Sequence, residues 1–230
     1  FRAAYPSLPS QTTHRMHCIA WSGYTTLPEV GAAYGIRLDT SYYFYPPTWV
    51  ADRPGLFTGS GMAMRFAATN GNVIDAYQAA TQMTDESGQS YPYTVDTLLD
   101  RALGPEGYYG AFVANMHTDA NPSVGSDAIL SSALSRGVPI VSARQLLTWL
   151  DARNSSSIKS INWNNGSQTF SIEADTAAKG LQVMLPIPAG YIVSEIRFNG
   201  SPIAYSLTVI KGIRYVFASA VTGNYQVSYM

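Results

Sequence analysis

Histidine occurs only three times in 230 residues, as His14, His17 and His117. Neutral imidazole binds divalent metals and moves protons near neutral pH, so these three positions are the first place to look for chemistry. His14 and His17 sit three residues apart. In a turn or helix that spacing lets both rings meet one ion, whereas on a strand they do not share a face. His17 is the first metal candidate and His14 the second. His117 closes the apolar run Tyr108-Tyr109-Gly110-Ala111-Phe112-Val113-Ala114-Asn115-Met116. At a strand end its ring is suited to act as a general acid, with Asp119 placed to orient it.

Carboxylates and arginines complete the candidate set. Asp39 follows Gly35-Ile36-Arg37-Leu38 and is predicted to end a strand, as third metal ligand or general base. Its structural alternative is a turn cap or a salt bridge to Arg37, Arg53 or Arg65. Arg65 is suited to stabilise developing negative charge, or else to pair with Asp39, Asp75 or Asp85. Asp85 and Glu86, in the polar stretch Thr84-Asp85-Glu86-Ser87-Gly88-Gln89, supply a further base or simply solvate a loop. A catalytic zinc usually takes three protein ligands, so His17, His14 and Asp39 form the expected set. Such an ion lowers the pKa of bound water and polarises a carbonyl, which is the chemistry of deacylation. The only other carboxylate pair to weigh is Asp39 with Asp85, which would serve glycoside hydrolysis if suitably spaced.

The aromatic stretch Tyr42-Tyr43-Phe44-Tyr45-Pro46-Pro47-Thr48-Trp49 reads as a stiffened loop. Tyr43, Tyr45 and Trp49 are suited to stack on sugar rings, and the alternative is a satellite apolar cluster. Trp163 and Tyr191 offer the same choice between a sugar platform and core packing. Cys18 is single, so no internal disulfide forms, and its apolar neighbours mark a core residue. Gly59-Ser60-Gly61 lacks the following helix of a phosphate loop. No serine occupies a Gly-x-Ser-x-Gly elbow.

These residues need elements to position them. Apolar runs at 17–21, 36–40, 62–67, 73–78, 109–116 and 139–142 are predicted strands. Helices are predicted at 27–34, 94–103, 126–135 and 144–153. The stripe Val95, Leu98, Leu99, Ala102, Leu103 carries the helical period, and Gly104-Pro105 ends it. Strand and helix in alternation predict a parallel sheet with crossover helices. After Asn154-Ser155-Ser156-Ser157 the helical signal stops. Seven short alternating runs follow, at 158–163, 168–173, 180–185, 192–198, 203–208, 213–217 and 225–229. Turn signals such as Asn199-Gly200 separate them, which predicts a small immunoglobulin-like β-sandwich. The expected division is an α/β domain at 1–154 and a sandwich at 155–230, with the serine run as linker.

Charged residues make up 13% and the net charge is −1, which gives no electrostatic basis for nucleic acid or an anionic membrane as partner. No apolar stretch reaches the length of a membrane span. Low charge and 16 tyrosines suit a secreted, carbohydrate-facing protein. The chain begins at Phe1, which is expected of a processed or excised piece.

In order and type, residues 14–153 resemble the later part of the polysaccharide deacetylase-like barrel of carbohydrate esterases. The resemblance rests on His14-Arg15-Met16-His17, Met62-Ala63-Met64-Arg65-Phe66, residues 73–86, Asn115-Met116-His117-Thr118-Asp119 and Ser135-Arg136-Gly137-Val138-Pro139-Ile140-Val141-Ser142. It implies an α/β fold, a partial or variant (β/α) barrel. It also implies a divalent metal, zinc foremost, a glycan substrate that loses acetyl groups, and His117 as the acid. The family's paired aspartates on its first strand have no counterpart before His14. Asn115 stands where the family has leucine. A complete (β/α) barrel typically needs about 250 residues, so upstream strands are expected in a longer parent chain. The competing expectation is a non-catalytic carbohydrate-binding or structural module.

Overall fold

The computed structural model describes residues 3–16, 22–41, 53–54, 61–86, 88–107, 110–119 and 122–230. The chain divides into two compact units, Phe1–Arg144 and Gln145–Met230. The first contains β1 (Thr13–His14), α1 (Thr26–Ala33), β2 (Leu38–Asp39), β3 (Met64–Ala67), β4 (Val73–Gln78), β5 (Thr81–Thr84), α2 (Tyr93–Leu103), β6 (Val113–Asn115) and α3 (Val124–Ser135). Helix α4 (Ala143–Ser155) begins at the division and leads into the second unit.

The expected (β/α) barrel is not formed, and β3, β4 and β5 follow one another with no helix between them. Among the described residues strand outweighs helix, 34% against 22%, and four helices and several separate sheets show no barrel closure. One sheet has the order β1-β2-β4-β3, and a second pairs β5 with β6. β1, β2 and β4 are parallel, yet β3 runs antiparallel to β4. A (β/α) barrel needs a closed ring of parallel strands with one consistent stagger. An antiparallel border at β3 and a two-residue border at β1 do not supply it.

The predicted strand at 139–142 is also absent. Helix α3 ends in a glycine turn: Val138 N–H donates to Ala133 O at 2.9 Å and Gly137 N–H to Leu134 O, with Gly137 at φ 66°. Pro139 then follows, and Ile140 and Val141 are exposed. Their apolar character reflects surface composition, not a buried strand.

The core of the first unit lies under β5. Met83, Val95, Leu98, Leu99 and Ala133 are buried together, with Phe112, Met116 and Ile129 against them. Arg136 bridges the helices by pairing with Asp96 at 2.9 Å and Asp100 at 3.0 Å. The two sheets are joined where Thr81 Oγ1 donates to Thr40 O at 2.8 Å and Thr81 N–H to Ser41 O at 3.3 Å. Among the described residues no helix is long and apolar enough to cross a membrane.

The second unit continues with β7 (Ser157–Asn164), β8 (Ser167–Glu173), β9 (Gln182–Pro186), β10 (Val193–Phe198), β11 (Ser201–Pro202), β12 (Tyr205–Ile210), β13 (Ile213–Ser219) and β14 (Gly223–Tyr229). An antiparallel sheet of order β11-β10-β14-β8-β7 and another of order β12-β13-β9 share one apolar core. Alternate residues face it: Phe170 and Ile172, Val183 and Leu185, Val216 and Ala218, Tyr225 and Val227. The serine run is not a slack tether. Ser155 ends α4, Ser156 Oγ donates to Ala152 O and accepts from Asp175 N–H, and Ser157 opens β7. Serine hydroxyls satisfy the backbone groups left open at a helix end, so this run joins α4 to β7 inside the second unit.

Buried Tyr225 closes the last strand connection. Its hydroxyl accepts from Val221 N–H at 2.9 Å and lies 3.0 Å from the carbonyls of Ser219 and Val221, the arrangement of a tyrosine corner. Tyr225→Phe removes that acceptor while keeping the ring stacked on Phe170 at 5.2 Å. The expected loss is about 1–2 kcal/mol of unfolding free energy, read from the urea midpoint at unchanged m-value.

Candidate acid–base site

Parallel pairing lines up residues that end their strands at one border. After α1, the chain turns through Gly35 at φ 82°, with Ile36 N–H donating to Gly31 O at 2.8 Å. This turn delivers β2 alongside β1 in the register His14↔Asp39. On its other side β2 pairs with β4 in the register Asp39↔Gln78. Laterally paired residues share a face, so His14, Asp39 and Gln78 form a polar row at the C-terminal ends of three parallel strands.

Asp39 is the centre of that row and is 5% exposed. His14 Nε2 lies 3.2 Å from its Oδ1. Ser41 N–H donates to the same oxygen at 3.0 Å, and the Ser41 hydroxyl does so as well. Gln78 Nε2 donates to Oδ2 at 3.2 Å. Burial pushes the carboxyl upward. The hydrogen bonds from His14 and Ser41 and the charge of His14 outweigh it and hold Asp39 below the ordinary carboxylate range.

The second histidine has its own carboxylates. β5 and β6 pair in parallel with Thr84 opposite Asn115, so Asp85 and His117 emerge from neighbouring strand ends. Asp85 grips His117 twice: Oδ2 accepts from the backbone N–H at 3.0 Å, and Oδ1 lies 2.9 Å from Nδ1. Glu86 Oε1 lies 3.2 Å from Nε2. The bond to Asp85 and its charge, reinforced by Glu86 and Asp119, raise the His117 pKa against a small desolvation effect. Burial alone would raise Asp85, but bonds from His117 hold it lower. Arg15 Nη2 donates to Asn115 Oδ1, which ties the end of β1 to the end of β6.

The structure therefore brings His14 to Asp39 and His117 to Asp85, as two histidine–carboxylate units. It separates Arg65 from both. Arg65 lies 3.2 Å from Asp75 Oδ1 and 4.9 Å above the Tyr77 ring, while Arg37 also grips Asp75 at 2.7 Å. Its cross-strand partner is Tyr77, one residue before Gln78, so it belongs to the opposite face of the sheet. Asp39 and Asp85, weighed above as a glycosidase pair, hold different histidines. His17, Cys18, Tyr43, Tyr45 and Trp49 lie outside the described residues.

Sequence reasoning missed Ser41 and Gln78. Ser41 had a local signal, because an aspartate readily accepts the N–H two residues on. Gln78 had none; only the pairing of β2 with β4 recruits it.

The donor chemistry can be set against zinc. His14 Nε2 and Asp39 Oδ1 lie 3.2 Å apart as a direct hydrogen-bonded pair, and the same oxygen accepts from Ser41. Among the described residues no group of three or more His, Cys, Asp or Glu side chains is arranged to hold a metal. Of the three expected donors, His14 and Asp39 hold each other directly, and His17 lies outside the described residues.

Comparisons with family models, with curated proteins and with solved structures found no match.

Asp39→Ala should be among the most damaging changes in the first unit. It leaves the donors of His14, Ser41 and Gln78 without their acceptor, at an expected cost of about 3 kcal/mol. Because the folded carboxyl titrates below its unfolded value, its contribution is complete above the ordinary carboxylate range and disappears as pH falls through the depressed value. Urea unfolding of wild type and variant should differ widely at pH 7 and converge in strong acid. A constant difference across that range would mean that the ionised carboxylate is not what stabilises the row.

Proposed function

We propose that the chain is a secreted carbohydrate-active hydrolase that removes acetyl groups from a glycan by acid–base chemistry. The observation that carries this reading is His117 fixed between Asp85 and Glu86 at the ends of two parallel strands. Asp85 holds the residue by one contact to Nδ1 and one bond from the backbone N–H, which sets the ring orientation and leaves Nε2 as the edge for a leaving group. Glu86, on a half-buried flexible side chain, occupies that edge until a leaving group takes its place. The raised pKa favours the imidazolium, the form that can protonate a departing amine or alkoxide.

His14 and Asp39 support the other half of the reaction. In the neutral ring, the Nε2 proton points to Asp39 and Nδ1 carries the lone pair. The carboxylate fixes that tautomer and stabilises the ring when it accepts a proton from water, as in other histidine–carboxylate dyads. The resemblance offers an alternative arrangement, in which a zinc ion held by His14, Asp39 and His17 would replace that hydrogen bond and supply an activated water and a polarised acetyl carbonyl. Chemistry of this type agrees with the resemblance to polysaccharide deacetylases, although the barrel of that family is not the fold seen here.

Acetate release from acetylated xylan and acetylated chitooligosaccharides tests the proposal. His117→Ala should lower kcat by at least about 100-fold, the typical contribution of a positioned general acid. The rate should fall on the alkaline side as His117 loses its proton. Asp85→Asn removes the main cause of its raised pKa, so that alkaline limb should move to lower pH. Release that is indifferent to His117→Ala contradicts the assignment.

Zinc loading gives a test without turnover. Titration calorimetry should return about one zinc per chain in the wild type and a loss of at least tenfold in affinity for Asp39→Asn. Equal affinity in both proteins would remove Asp39 from the ligand set.

A further inference from the structure

We infer that the second unit carries a glycan-binding notch built from Trp163, Tyr191 and Tyr229, separate from the acid–base residues and independent of whether they hydrolyse anything. The argument begins with a register shift in β7. Ile158 pairs with Ile172 and Lys159 with Ser171, but Trp163 pairs with Gln168 and Asn164 with Ser167. Ser160 and Ile161 together oppose one residue of β8, and Ser160 adopts φ 53°. One extra residue inverts the facing of everything after it. In an unbroken register Trp163 would stand opposite Ser167 on the outer face. The bulge instead turns it to the face of Gln168, Phe170 and Ile172, the face that lines the core further along.

A five-stranded sheet opposes a three-stranded one, and β7 is the border strand of the wider sheet. Trp163 therefore stands on the core face of a border strand and yet is 43% exposed. Its neighbours hold it at two angles. Tyr229, 8% exposed, lies beneath at 5.0 Å and 40°, and Tyr191, 36% exposed, stands at 5.6 Å and 86°. Tyr191 and Tyr229 are 6.2 Å apart at 82°. The Tyr229 hydroxyl donates to Gln168 Oε1 at 2.9 Å, which anchors the base and orients the amide of Gln168 beside the rings. Tyr191 is fixed through its carbonyl, which accepts from Arg214 Nη2 at 2.5 Å.

An exposed indole and an exposed phenol at right angles, with an oriented amide alongside, match the chemistry of a pyranose. The sugar offers apolar C–H groups to ring surfaces and hydroxyls to the amide. Rings already locked by their neighbours lose little entropy on binding, so the notch is preorganised. A peptide partner would be expected to exploit a larger apolar area, and an anionic one a cationic centre; the three rings provide neither.

The test uses the full chain against cellohexaose, chitohexaose and xylohexaose, by titration calorimetry and by affinity electrophoresis on the parent polysaccharides. Wild type should bind at least one of the three. Trp163→Ala and, independently, Tyr191→Ala should each weaken that binding at least tenfold. Tyr191 lies in an exposed turn, so its variant keeps the fold even if Trp163→Ala lowers the melting temperature. His117→Ala should bind as wild type does, which separates this site from the hydrolytic one. Failure of wild type to bind any of the three glycans overturns the inference. So does binding by Trp163→Ala and Tyr191→Ala at wild-type strength. Loss of binding in His117→Ala would place the sugar in the first unit and overturn it as well.

Discussion

A buried carboxylate must find donors, and Asp39 finds them in three separate parts of the first unit. His14 comes from the neighbouring parallel strand, Gln78 from the strand on the other side, and Ser41 from its own turn. None of these is a strong contact alone. Together they make ionisation favourable in a place where burial opposes it. The register of β1, β2 and β4 is thereby tied to one charge. A slip of one residue in either pairing would carry His14 or Gln78 to the opposite face and leave the carboxylate short of partners. The geometry of the candidate site and the pairing of the sheet are in this sense one constraint.

The same principle sorts the remaining charged groups. Arg37 and Arg65 converge on Asp75, on the face away from Asp39, and so neither neutralises the carboxylate that holds His14. His117 takes Asp85 and Glu86. Each of the two described histidines keeps its own acidic partners, while Arg37 and Arg65 are engaged by Asp75. That partition is what allows one carboxylate to be held low by a ring while another raises the pKa of a ring.

Much of this was legible before any coordinates. The period of Val95, Leu98 and Leu99 gave helix α2, the alternation in residues 168–173 gave β8, and Asp39 was placed at a strand end from Gly35-Ile36-Arg37-Leu38 alone. Local patterns report local structure well. They failed where partners decide the outcome. Thr13–His14 and Thr81–Thr84 are strands only because β2 and β6 lie beside them, and neither shows a strong alternation of its own. Closure of a barrel is likewise a property of all strands jointly, and order and type of elements did not fix it. The candidate site shows the same division: Asp39, Asp85 and His117 stood out by type and position, whereas Gln78 was visible only through pairing. Arg65 was read either as a stabiliser of negative charge or as a partner of Asp39, Asp75 or Asp85; it pairs with Asp75, a choice set by register, which residue type does not encode.

The extra residue in β7 has an evolutionary consequence. Side chains downstream of Ser160 and Ile161 keep their facing only while the count between the two halves of the strand stays fixed. Most single replacements in this exposed strand leave that count alone, whereas the loss or gain of one codon would turn Trp163 away from Tyr229. Selection on this segment therefore acts more strongly on length than on identity. Among descendants of this gene, the spacing between Ile158 and Trp163 should drift more slowly than the residues that fill it.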